Sequence, residues 1–336
     1  PPPEALKPFR RLNTPRLSDE LPLVWQQRLT FLLGLAYFHS GDYGKATLHF
    51  ERVRDGYPEL QDYTMWYLAE GLRRLDRLPS ACMAYQWLVD VFLDSVHRPE
   101  ALFQAAETNA RLGDYRRAAD LYSRYLQEHA AGAHRGEVLI GLGTVQRELG
   151  NPAEALRQWR SVWVDHPEDP AAAKVPDLER TLPPSFVVPA VAPEDLYRRA
   201  QRLYRLNRHR EALQAFTLAR AAAPNHPLSA ETLYEIGTSQ YHARDNAAAL
   251  ATFQSIYATA PRGALAPAAL LMQGRLYLRT EADEDFLGTA SALMEWFPNS
   301  KQADEIGYLS GHFYRNRGLT AEAKRAYQQT VDRGKA

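Results

Sequence analysis

Residues 34–58 read Gly34-Leu-Ala-Tyr37-Phe-His-Ser-Gly41-Asp-Tyr-Gly-Lys-Ala46-Thr-Leu-His-Phe50-Glu-Arg-Val53-Arg-Asp-Gly-Tyr-Pro58. Small or apolar side chains at Gly34, Tyr37, Ala46, Phe50 and Val53 keep a spacing of three to four, the period of an amphipathic helix. Gly41 falls where a tight turn is needed. The stretch predicts two helices joined as a hairpin, with Pro58 stopping the second.

Outward from this stretch the pattern recurs eight times. The residues equivalent to Gly34 are Ala69, Ala106, Gly143, Ala200, Gly237, Gly274 and Gly311, with separations of 35, 37, 37, 57, 37, 37 and 37 residues. The outlier is one 37-residue period plus 20. Regular recurrence at this length marks a solenoid of stacked units. The small residue lets the second helix approach the first, and the Ala opening the second helix (Ala46, Ala118, Ala155, Ala212, Ala249, Ala323) accepts that contact. An aromatic four residues on (Phe50, Tyr85, Tyr122, Trp159, Phe216, Phe253, Tyr327) is expected to fill the space between successive hairpins. Pro58, Pro167, Pro224, Pro261 and Pro298 end second helices. Two repeats depart from the pattern: the second has Asp76 where a turn glycine is usual, and the seventh has Phe286 in place of the helix-opening Ala. No sustained period-two stretch occurs, so a sheet is not expected.

The 20-residue excess is rich in proline (Pro167, Pro170, Pro176, Pro183, Pro184, Pro189, Pro193), which predicts extended backbone there. The expected organisation is an extended lead-in over 1–26, a block of four repeats over 27–167, a proline-rich linker over 168–193 and a second four-repeat block over 194–336. Phe186 is expected to decide whether the linker packs back as a strap. The last repeat runs into Lys335-Ala336 without a capping helix, and solenoids need a polar end cap; the natural protein is expected to continue, and Pro1 is expected to follow a removed leader or an upstream segment.

Composition narrows the function. The chain has 336 residues, 24% charged and 45% hydrophobic, with 40 basic residues balancing 40 acidic ones. That is ordinary globular usage, without the excess of positive charge that draws in nucleic acid. Cys82 is the only cysteine, so neither an intramolecular disulfide nor a multi-cysteine zinc site is available. No apolar run reaches the roughly 18–20 residues of a membrane helix. Neither His-Glu-x-x-His, nor Gly-x-Ser-x-Gly, nor a Walker loop is present, the histidines are dispersed, and no cofactor, metal or catalytic role is expected.

Stacked hairpins place their first helices along one face, whose accessible positions fall three before and one, four and five after the small residue. In the second block these include Tyr197, Gln201, Tyr204, Arg205, Tyr234, Tyr241, His242, Tyr308, His312 and Arg315. In the first they are Trp66, Glu70, Arg73 and Arg74, then Phe103, Glu107, Arg111, Thr144, Arg147 and Glu148. Trp66, Arg73, Tyr197, Tyr204, Arg205, Tyr234, Tyr241, Tyr308, His312 and Arg315 are the candidate groove residues. Tyr with Arg and Glu suits an extended polar polymer, peptide or glycan, through stacking and hydrogen bonds. Half-buried packing between neighbouring first helices accounts for the same tyrosines.

The pattern over about residues 27–336 resembles the tetratricopeptide repeat, which implies an all-α helical-hairpin solenoid wound as a right-handed superhelix, about eight repeats in two blocks. Tyr57-Pro-Glu-Leu-Gln-Asp-Tyr-Thr-Met-Trp-Tyr-Leu-Ala-Glu70 and Trp296-Phe-Pro-Asn-Ser-Lys-Gln-Ala-Asp-Glu305 are further similar to the amino-terminal superhelix of soluble lytic murein transglycosylases. That resemblance implies a periplasmic or cell-envelope protein supporting a peptidoglycan-cleaving domain. The family's Glu-Ser catalytic pair is absent from these residues, so no catalytic role is carried over. The expectation is a non-catalytic module that binds a protein, peptide or peptidoglycan glycan strand, with no nucleic acid and no membrane span. A free-standing envelope scaffold for assembly or secretion is the alternative, and cytoplasm the alternative location.

Overall fold

The computed structural model describes residues 21–224 and 229–333. Among them every regular element is helical, and two compact units divide at Val188 and Pro189. Unit one holds four hairpins: α1 (Leu23–His39) with α2 (Tyr43–Val53), α3 (Gln61–Arg74) with α4 (Leu78–Val91), α5 (Arg98–Arg111) with α6 (Tyr115–Glu128), and α7 (Arg135–Glu148) with α8 (Pro152–Asp165). A 3-10 turn (Pro170–Lys174) and the short α9 (Val175–Glu179) follow. Unit two holds α10 (Pro193–Arg205) with α11 (His209–Ala222), α12 (Ala230–His242) with α13 (Asn246–Thr259), α14 (Ala266–Arg279) with α15 (Asp283–Trp296), and α16 (Lys301–Asn316) with α17 (Thr320–Arg333). Most of the lead-in and the chain's last three residues lie outside the described residues.

Seven of the eight hairpins carry a pair 16 residues apart, a small residue on the first helix and an aromatic on the second. A Cβ added at Gly34 would lie 2.7 Å from the Phe50 ring, and one at Gly237 2.9 Å from Phe253. Phe50, Tyr85, Tyr122, Trp159, Phe216 and Phe253 are at most 1% exposed. The small residue thus seats the aromatic of its own hairpin, and the close approach of the helices follows from that fit. Repeat seven reverses the order along its second helix: Phe286 (0% exposed) stands where the others have Ala, and Ala290 (2%) where they have the aromatic.

Every hairpin turn has one residue in the left-handed region: Gly41, Gly113, Gly150 and Gly318, and the non-glycines Asp76, Asn207, Arg244 and Glu281, the latter four at φ 57° to 68°. This is the helix-ending conformation that glycine adopts without a Cβ clash, and a side chain there costs about 1–2 kcal/mol. Replacing Arg244 or Glu281 by Gly is expected to raise the stability of unit two by up to about 1 kcal/mol each, the added unfolded-state freedom of glycine offsetting part of the relief. Chemical denaturation of the single variants measures it, and a loss of stability would mean that the native side chains make contacts that outweigh the strain.

The proline-rich stretch is not extended throughout. Pro170 opens the 3-10 turn and Pro176 lies in the first turn of α9, positions where the missing N–H is no loss and the fixed φ suits the helix. Ala171, Ala172, Val175 and Leu182 are buried against the fourth hairpin, Phe186 packs half-buried beside them, and Arg160 pairs with Glu179 at 2.8 Å. Residues 170–186 therefore cover the apolar flank that the fourth hairpin would otherwise expose, the task of a solenoid cap.

Candidate binding site

In unit one, the first helices α5 and α7 enclose a cavity of about 500 Å³. Its floor is apolar, formed by Phe103, Ile140, Gly141 and Val145, and its rim carries Glu107, Glu137, Glu148, Arg111 and, from the capping segment, Lys174. An apolar floor with a few convergent polar groups is the make-up of a ligand pocket. Gly141 has a local reason to be glycine, since a Cβ there would come within 2.5 Å of the Tyr122 ring. That space lets the Tyr122 hydroxyl cross to α5 and donate to the Glu107 carboxylate. Burial, and then the Glu107 charge, push the Tyr122 phenol well above its ordinary range.

Two rim charges are closed pairs. Glu148 accepts from Arg147 (Nη2, 2.5 Å), which also donates to Thr181, and Arg111 reaches Asp76 at 2.8 Å. Glu137 belongs to a third arrangement. His134 stacks on Phe103 (centroids 4.6 Å apart, planes at 6°), with Nε2 2.6 Å from Glu100 and Nδ1 2.7 Å from Glu137. Only the imidazolium donates from both ring nitrogens. Burial alone pushes this imidazole down, but the hydrogen bonds and charges of Glu137 and Glu100 outweigh it, and its pKa lies above the ordinary value of 6.5. A folded-state value above the unfolded one gives stability that is complete below about pH 6.5 and is lost as pH rises through the folded value. His134→Gln is therefore expected to flatten the decline of unit-one stability above neutrality. Melting temperatures of both proteins between pH 6 and 9 check this, and parallel curves would exclude the bridge as a source of stability.

The groove candidates have varied placements. In unit one, Trp66 is half-buried and stacked on His97 at 5.1 Å, and Arg73 is spent within the chain, with Nε and Nη2 on Glu70 at 2.9 and 2.8 Å. Glu70, expected on the surface, is 7% exposed and accepts from the buried Tyr85 hydroxyl. In unit two, Tyr197 is a correction. It is 7% exposed, tilted against Phe216, because it lies on the side of α10 that also carries Ala200, where that aromatic seats. Tyr204, Tyr234 and Tyr241 are half-buried and Arg205 is exposed. Tyr241 lies under the Arg279 guanidinium at 3.5 Å from its ring centroid, a cation–π contact. Tyr308 is 54% exposed with His312 against its ring, and Arg315 lies 2.7 Å from His312 Nδ1. The groove rule reaches seven cavity residues, Phe103, Glu107, Ala110, Arg111, Ile140, Thr144 and Glu148, although Ala110 and Ile140 have no polar chemistry to single them out. It does not reach Tyr115, Glu137, Gly141, Val145 and Lys174.

Among the described residues no group of three potential ligand side chains could hold a metal, and no helix is long and apolar enough to cross a membrane.

Tetratricopeptide-repeat family models match residues 100–131 and 197–264. No curated protein matches the chain. Among solved structures, a tetratricopeptide repeat protein from Parabacteroides merdae is 14% identical, covering 91% of this chain and 98% of its own (TM-score 0.39). MamA from Desulfovibrio magneticus is 17% identical, covering 61% and 97% (TM-score 0.38). The TPR2AB domain of yeast Sti1, in its pHSP90 complex, is 12% identical, covering 91% and 98% (TM-score 0.30). With eight hairpins of one register among the described residues and family-model matches in both units, the chain folds as a helical-hairpin solenoid of tetratricopeptide-type repeats.

Proposed function

We propose that the chain is a non-catalytic scaffold that holds an extended segment of a partner polypeptide along its first-helix faces. The observation that carries the reading is the α5–α7 cavity, with its apolar floor and charged rim on the first-helix face of unit one. In unit two the half-exposed tyrosines and arginines of α10, α12, α14 and α16 add aromatic and hydrogen-bonding contacts of the type peptide-binding surfaces use. An array of extended peptides probed with the purified chain tests this. Thr144→Trp, which crowds the cavity, is expected to weaken bound peptides about tenfold or more, and Asp120→Trp on the exposed second-helix face to leave them unchanged. Equal effects of the two substitutions would sink the reading.

The likeness of residues 57–70 and 296–305 to murein transglycosylase superhelices favours a second reading, an envelope protein whose ligand is a peptidoglycan glycan strand. Its test is cosedimentation with purified sacculi, expected to be lost on replacing Tyr204, Tyr234, Tyr241 and Tyr308 by Ala with helix content intact. Unchanged sedimentation would remove the glycan from consideration.

A further inference from the structure

Two sites one 37-residue period apart share one arrangement and differ in one residue. In repeat two, Glu70 accepts the Tyr85 hydroxyl and is neutralised by Arg73, with Arg74 3.9 Å away. In repeat three, Glu107 accepts the Tyr122 hydroxyl in the same way. The counterpart of Arg73 is Ala110, on the cavity wall, and the counterpart of Arg74 is Arg111, which turns to Asp76 at 2.8 Å. Among the described residues no cation pairs with Glu107. The cavity thus lies on the side of Glu107 where, one repeat earlier, a guanidinium is seated on its carboxylate.

We propose that this cavity is a docking pocket for an arginine side chain of the partner polypeptide, its guanidinium pairing with Glu107 as Arg73 pairs with Glu70. The inference rests on the polypeptide reading above. Phe103 and Ile140 supply apolar surface for the arginine stem, which packs its methylenes while the planar head meets a carboxylate. With Glu148 and Arg111 closed in pairs, the open charges are Glu107, the Glu100–His134–Glu137 group and Lys174. Two carboxylates sharing one imidazolium leave one negative charge, so the balance around the pocket is net negative and favours a cation. Lys174 is exposed on a flexible stem and can swing away from an entering guanidinium.

The test titrates the isotope-labelled full chain with N-acetylarginine N-methylamide, using the citrulline analogue as the uncharged control, and follows the Glu107 carboxyl carbon and the Gly141 amide by NMR. The arginine compound is expected to shift both signals and the citrulline compound neither. Glu107→Gln keeps an acceptor for Tyr122 and should weaken binding about tenfold or more. Ala110→Arg should abolish binding by supplying the guanidinium internally, without loss of thermal stability. Absence of a shift in the wild-type chain, or an undiminished shift in Ala110→Arg, overturns the pocket. On the peptide array, binders without arginine preference overturn the pocket and leave the polypeptide reading standing. An arginine-compound shift abolished by Ala110→Arg, with no peptide retained, supports the pocket and sinks the polypeptide reading.

Discussion

Replacing Trp159 by Ala is expected to lower the stability of unit one by about 3–5 kcal/mol, the range for deleting a fully buried large aromatic. The side chain is 0% exposed, its Nε1 donates to the Ile140 carbonyl at 3.1 Å, and Ala155, Leu156, Val175 and Leu182 pack in the same cluster. The substitution therefore opens a void, removes one of the donors to the Ile140 carbonyl, which keeps the Thr144 hydroxyl at 2.8 Å, and removes the surface on which the capping segment rests. Urea unfolding should show the unit-one transition moving while that of unit two stays, since each repeat is supported by its neighbours. A loss below about 1 kcal/mol would mean that the site collapses around the void. The same fit can be perturbed from below. A Cβ at Gly143 would lie 2.5 Å from the indole Cδ1 and 2.9 Å from the Ala155 carbonyl, so Gly143→Ala should cost about 1–3 kcal/mol by overpacking. Trp159→Tyr should recover part of that loss, because repeats two and three combine Ala at the small position (Ala69, Ala106) with Tyr 16 residues on (Tyr85, Tyr122). A double-mutant cycle with strictly additive costs would refute the pairing.

The second large effect is expected at Glu70. Replacing it by Ala leaves the Tyr85 hydroxyl without its acceptor in a fully buried position and strips Arg73 of its carboxylate. Breaking a buried charge pair by removing one partner costs about 3–5 kcal/mol. Glu70→Gln keeps an oxygen for Tyr85 and loses only the charge, so its cost should be clearly smaller. Thermal or denaturant melts of the two variants separate the terms. Equal losses would assign the stability to the charge pair alone, and a negligible loss in both would mean that water reaches the site.

The fold was legible because the helix period, the turn glycines and the late prolines repeat at one spacing, and each repetition confirms the same hairpin. What the period leaves open is depth. It places a residue around a helix axis but not how far the side chain sinks, so Tyr197 and Glu70, read as groove residues, lie in the core. The cavity was half legible for a different reason. Phe103, Glu107 and Thr144 carry chemistry and attract attention, whereas Ala110 and Gly141 matter for what they lack, the first a guanidinium and the second a Cβ. Comparing the Arg73 and Ala110 positions along the repeat could have exposed the first. Nothing local could have brought in Lys174, which reaches the rim only because the proline-rich segment folds back as a cap.

The exchange of Phe286 and Ala290 bears on how such chains diverge. A large and a small side chain trade places across one turn of α15, and both remain at most 2% exposed, with Ile306 of the next hairpin approaching Gly274 instead. The interior conserves summed volume and leaves the order of the two residues free. A profile that scores alignment columns independently penalises such a trade twice, although the core registers almost no change. Repeats of this kind are therefore better compared by compensating pairs than by single positions, and a seventh hairpin with inverted letters is as sound a member of the stack as the sixth.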